Sequence, residues 1–164
     1  MRPIRLLSIA CALLTTITLL ASPTALLAAA CVPRVRANPP AAEEALARYQ
    51  PTVRGVSRDM SVPADLIARV IWVESRGDRH AVSSSGALGL TQVIELHWLP
   101  GEDWTDPYQN IRKGAGILRA NYERSGDWVI ATRAYAGAGP VAEEYVHLVF
   151  EFDCGGDALL SELE

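Results

Sequence analysis

The chain has 164 residues, with 15 lysines and arginines against 19 aspartates and glutamates, a net charge of −4. With 49% hydrophobic and 21% charged residues, it has the composition of a globular protein long enough to bury one sizeable core. No basic face points to nucleic acid, and no basic amphipathic helix points to an anionic membrane surface.

The first thirty residues read as a secretory signal peptide. Arg2 and Arg5 form a positive head, "LLSIACALLTTITLLA" (6–21) is an apolar run, and Ala28 and Ala30 offer small residues for cleavage before Cys31. Loss of residues 1–30 removes two arginines and leaves a more acidic chain, expected to be exported and to work in the periplasm. Cys11 leaves with the signal, so Cys31 and Cys154 remain. Two readings of Cys31 stand. A cysteine at the first mature position, after small residues, resembles the lipid-attachment site of bacterial lipoproteins and would give an outer-membrane anchor. A Cys31–Cys154 disulfide, stable in an oxidising compartment, is the other. Residues 31–42, with "ANPPAA" at their end, are expected to form an extended, proline-stiffened tether.

Beyond the tether, residues 43–153 read as helices joined by loops. A first helix is expected over 43–58, restarted at Pro51. "SVP" (61–63) supplies an N-cap and a proline for a helix running to Glu74. Residues 75–89 are a glycine- and serine-rich loop, followed by a short helix near 89–96 and a second loop over 99–110. "TDP" (105–107) opens a helix through Arg124; Trp128–Tyr135 and Val141–Phe152 are the last two. No stretch alternates at period two with β-branched enrichment, so the expected fold is a single all-α domain. Residues 154–164 read as an acidic, frayed tail.

One helix carries an anomaly. Leu66, Ile67, Val70, Ile71 and Val73 mark an apolar stripe, and Glu74 continues it, seven residues after Ile67 and four after Val70. A carboxylate there loses water, at a cost of several kcal/mol unless it is paired or protonated. It also sits at the negative end of the helix dipole. Both influences raise a carboxyl pKa, and a carboxyl that keeps its proton near neutral pH suits general-acid work. On spacing alone, a structural glutamate bonded to a loop amide is an equally open reading.

Four stretches occur in a telling order: "ES" (74–75), "AVSSSGALGLTQ" (81–92), "DPYQNIRKGAGIL" (106–118) and "AYAGAGPV" (134–141). Together they resemble the lytic transglycosylases of the soluble-lytic-transglycosylase (SLT) type, relatives of goose-type lysozymes, over about residues 60–150. The resemblance implies a helical lysozyme-like domain with a cleft for peptidoglycan strands. It implies cleavage of the β-1,4 bond between N-acetylmuramic acid and N-acetylglucosamine, with a 1,6-anhydro product and no cofactor. Glu74 matches the single acid of that family. Ser75, Gln92 and Tyr135 match positions near the acid or the sugar, Tyr135 as the tyrosine whose hydroxyl lies by the carboxyl. Ser83, Gly86, Gly89 and Asn110 match loop and helix-start positions with structural roles. A small monomer without separate binding modules also suits enzymes that open the wall for a secretion or conjugation apparatus.

The chain departs from the family pattern in places. Thr91 stands where many relatives have Met, which implies the loss of a sugar-stacking thioether, and Ala136 stands where Asn is usual. Asp78 is the candidate second carboxylate should the enzyme be a hydrolase, and a non-catalytic peptidoglycan-binding protein on the same fold is the third reading. Trp72 and Trp128 are expected in the core; Trp98 and Trp104 flank a loop, where they either stack on sugars or pack. His80, His97 and His147 have no metal-ligand spacing, so no metal is expected.

Overall fold

The computed structural model describes residues 31–153; the signal-peptide reading of 1–30, the tail at 154–164 and Cys154 lie outside the described residues. The described chain is helical: α1 (Pro40–Leu46), a 3₁₀ turn (Ala47–Tyr49), α2 (Gln50–Met60), α3 (Ala64–Ser75), α4 (Pro107–Ser125), α5 (Trp128–Tyr135) and α6 (Pro140–Val149). Two helices start on capping side chains, whereas the expected "SVP" cap of α3 is not formed: Ser61 is the left-handed end of α2, and Pro63 at the α3 N-cap offers no side-chain acceptor. The Asp106 carboxylate accepts the Gln109 N–H at the start of α4, with Pro107 in the first turn, and Gly126 closes that helix in the left-handed conformation, φ 70°. Asp127 then caps α5 by accepting the Val129 and Ile130 N–H groups. Pro51 does restart the first helical stretch, after one 3₁₀ turn.

The core gathers the inward faces of α2, α3, α4 and α6. Val56, Leu66, Ile67, Val70, Ile71, Ile111, Leu118 and Val149 are buried, joined by Leu90 from the loop between α3 and α4. Truncating one of the large members, such as Leu118→Ala, removes transfer energy and leaves a cavity, about 2–5 kcal/mol in typical cores.

Three sequence expectations need correction. Residues 31–42 are not a free tether: Val32–Val35 form β1, paired antiparallel with β4 (Phe150–Asp153), and α1 already starts at Pro40. The last helix ends at Val149 rather than Phe152, because "FEFD" is extended to meet β1. The short helix near 89–96 is a turn, a two-residue strand and a 3₁₀ turn. Ala87–Leu88 (β2) pairs with Val93–Ile94 (β3), and Glu95–His97 follow as the 3₁₀ turn. Gly89 at φ 73° and Gln92 at φ 48° are left-handed, which breaks any helix through them.

Cys31 is disulfide-bonded. Cys31→Ser is expected to lower stability by about 2–4 kcal/mol, the usual scale for loss of a disulfide. The check is a urea midpoint that matches wild type measured in reductant.

Candidate active site

Glu74 occupies the last turn of α3 and is half-buried. Its one hydrogen-bond donor among the described residues is the Tyr145 hydroxyl of α6, 2.7 Å from Oε1. Burial pushes the Glu74 carboxyl up to about 7, and the phenol, which favours the charged form, pulls the other way. No carboxylate is among the groups that act on it.

Tyr145 is the residue that sequence reasoning missed. Tyr135 was expected beside the carboxyl, but its hydroxyl donates instead to the Thr91 carbonyl, at 2.5 Å. The two rings lie near parallel, 6.5 Å apart, so Tyr135 backs Tyr145 rather than replacing it. Burial, and next the Glu74 charge, raise both phenols well above their ordinary range, so both stay protonated donors. A signal existed: Tyr145 follows Ala142 by three residues and precedes Val149 by four, and both neighbours are buried.

The loop from 75 to 92 is tied down by groups the sequence singled out. The Ser75 hydroxyl lies 2.9 Å from the Leu90 carbonyl and 3.1 Å from that of Ile71, and it accepts the Gly77 N–H. It therefore joins the end of α3 to the loop and does not bond Glu74. Buried Asn110 accepts the Thr91 N–H at 2.9 Å and donates to the Leu88 and Trp104 carbonyls at 3.1 and 2.9 Å. Gly89 lies so close that a Cβ there would stand 2.1 Å from the Asn110 Nδ2. Ser83 accepts the Ala87 N–H and pairs with the Ser85 hydroxyl, while Gly86 takes a left-handed turn at φ 79°.

Thr91 serves the loop from inside the core. Its side chain is buried, bonds Asn110 at 2.7 Å and fills the space that Gly114 leaves by having no Cβ. A side chain so placed faces the core and offers no surface to a sugar. Gln92 keeps its left-handed backbone by donating from Nε2 to the Ala81 and Gly89 carbonyls, at 3.1 and 2.9 Å. It lines a cavity of about 420 Å³ together with Tyr135, Val93 and His97.

Asp78 is not among the groups that act on the Glu74 carboxyl. Its carboxylate accepts the His80 N–H, and it lines a separate cavity with Arg48, Arg76 and Arg79. Trp98 is fixed by its own N–H bond to the Val93 carbonyl and by Lys113, 5.3 Å above the ring. Trp72 is half-buried under Arg76, and Trp128 stacks on Tyr122 at 4.1 Å. Trp104 is half-buried and meets Asn110 through its backbone carbonyl.

Against known proteins, residues 52–146 match the family model described as the transglycosylase SLT domain. That is more than half of the chain, and the chain belongs to this family. The matched span runs from α2 into α6 and so contains Glu74, the loop and both tyrosines. A transglycosylase of Enterobacteria phage PRD1 is 36% identical over 88 residues, covering 52% of this chain and 33% of that protein. The membrane-bound lytic murein transglycosylase F of Alcanivorax borkumensis is 31% identical over 87 residues, 52% of this chain and 19% of its own. The chain therefore spans a third or less of these relatives. A solved structure of the 70-kDa soluble lytic transglycosylase with bulgecin A superposes with a TM-score of 0.52 at 19% identity. It covers 65% of this chain and 20% of that one, a likeness of fold. The fold class is thus all-α and lysozyme-like, with short strands added.

Proposed function

We propose that the protein is a peptidoglycan lytic transglycosylase with Glu74 as its single acid–base group. The observation that carries this is the Glu74 carboxyl, half-buried and held by one phenol, with its proton retained up to about pH 7. In the proposed reaction the protonated carboxyl gives its proton to the glycosidic oxygen as the C1–O bond breaks. The carboxylate then takes the proton from the muramic C6 hydroxyl as O6 bonds to C1. The product is a 1,6-anhydro end, with no water consumed. A glycosidase that uses water ordinarily needs a second carboxyl roughly 5–9.5 Å from the first; that no carboxylate is among the groups acting on Glu74 supports the one-carboxylate scheme. Gln92 and Tyr135 would line the glycan path. Ser75, Ser83, Gly86, Gly89 and Asn110 would shape the loop beside it. Work on the wall outside the cytoplasm, either general turnover or local opening for a secretion or conjugation machine, follows as part of this reading.

The test is product identity. Peptidoglycan digested with the protein should release anhydro-muropeptides, read by mass spectrometry. Reducing-end products would make water the nucleophile and overturn the single-carboxylate mechanism; no products from folded protein would overturn the enzyme reading. Cleavage should also fall as pH rises through about 7, where Glu74 loses the proton it must donate. A rate unchanged from pH 5 to 9 would remove Glu74 from the acid role.

A further inference from the structure

Tyr145 is on α6, and four residues later that helix ends. The last carbonyls of a helix have no partner within it. Here two arginines from distant parts of the chain satisfy them. The Arg69 guanidinium, from α3, donates to the Leu148 carbonyl from Nε and Nη2, at 2.8 and 2.6 Å. Arg36, just past β1, donates from Nε to the His147 and Phe150 carbonyls at 2.7 and 3.0 Å, and from its backbone N–H to the Val149 carbonyl at 2.8 Å. Four successive carbonyls are thus held.

The arrangement brings like charges together. Burial, then Arg36 and then Arg76, lowers the Arg69 pKa, so these guanidiniums repel. Neither Arg36 nor Arg69 has a carboxylate partner among the described residues. What offsets the repulsion is the negative end of the α6 dipole. The pairing also has a geometric consequence: α3 meets α6 at two polar rungs, Arg69 to Leu148 and Glu74 to Tyr145. The family match covers residues 52–146, so Arg36 and the carbonyls of 147–150 lie outside the matched span.

We propose that Arg36 and Arg69 are positioning residues: by clasping the C-terminal end of α6, they hold the Tyr145 hydroxyl on the Glu74 carboxyl. This deepens the reading of Glu74 as the acid and rests on it for its functional meaning, while the geometric claim is testable without turnover. The groups electrostatically coupled to Glu74 are Tyr145 on α6 and Tyr135 on α5. Loosening α6 removes the hydrogen bond that favours the carboxylate, so the Glu74 pKa should rise.

The experiment is carbon-13 NMR titration of the full chain with labelled glutamate carboxyls, Glu74→Gln assigning the resonance. Tyr145→Phe should raise the Glu74 midpoint by roughly one pH unit, the scale of one hydrogen bond to a charged group. Arg36→Gln and Arg69→Gln should each raise it in the same direction, by roughly half a unit. Arg69→Lys, which keeps the charge and one donor, should restore most of the wild-type value. In the Tyr145→Phe background the arginine changes should add nothing. A shift that persists there would mean the guanidiniums act on Glu74 directly through charge and would overturn the clasp. Arginine variants that titrate as wild type would overturn it too. Should Arg69→Gln fail to fold, exposed Arg36 and the Arg69→Lys variant still decide the matter. Digestion of peptidoglycan by the same proteins forms a separate arm: an inactive wild type with the expected titrations would sink the enzyme reading and leave the clasp standing.

Discussion

Glu74→Gln is expected to reduce peptidoglycan cleavage by roughly 10²- to 10⁴-fold, the usual contribution of one general acid–base group. Glutamine keeps the shape and can still accept the Tyr145 hydrogen bond, but it has no proton to give. The same substitution should stabilise the fold at alkaline pH. Burial raises the folded-state carboxyl from about 4.5 to about 7. The folded chain therefore holds a proton that the unfolded chain has released between those values. Wild-type stability should be fully present below about pH 4.5 and decline as pH rises to about 7. Above that window the variant should be the more stable protein, by on the order of 2 kcal/mol. Denaturant titrations of both proteins at pH 4 and pH 8 would measure this. Equal stability differences at the two pH values would show that Glu74 does not titrate as its burial implies.

Asn110→Ala is expected to have the largest effect on stability. Its side chain serves the Thr91 N–H and hydroxyl and the Leu88 and Trp104 carbonyls, all around one buried point. Alanine would strand several of these groups, each costing about 1–3 kcal/mol when left without a partner. A total of roughly 3–5 kcal/mol follows once some regain water, a fall in melting temperature on the order of 10–20 °C. Because the Thr91 carbonyl receives Tyr135, the loss should also loosen the ring stacked behind Tyr145. Calorimetry checks the first expectation. A shift of less than about 3 °C would mean that water replaces the amide without penalty.

Glu74 was legible because a single helix displays it: a carboxylate on an apolar stripe contradicts local patterning, and local patterning is what a sequence exposes. The cap in "TDP" was legible in the same way, since a cap acts within three residues of itself, and Asp106 fills it. The partner of Glu74 was not, because Tyr145 meets it across 71 positions of chain and only the packing of α3 on α6 joins them. The packing of Thr91 was hidden for a related reason. Comparison with relatives gives the residue type, but its direction depends on Gly114, which makes room by lacking a side chain. The terminal strands escaped notice because β1 is four residues long and its partner lies at the other end of the described chain. Neither "VPRV" nor "FEFD" is an extended signal without the other.

The pairing of Val32 with Asp153 has a practical corollary for rearranging the gene. Residues at the two ends of the domain are neighbours on adjacent strands, separated by only about 5 Å. A few glycines and serines would bridge them, and new ends could be opened at exposed Gly101, which has empty space around its Cα. Such a circular permutant would keep each helix unbroken, with Glu74, Tyr135 and Tyr145 on intact segments. It would also free the Val32–Val35 edge from serving as the point at which the polypeptide enters the domain, leaving that strand pair to act as an internal hairpin.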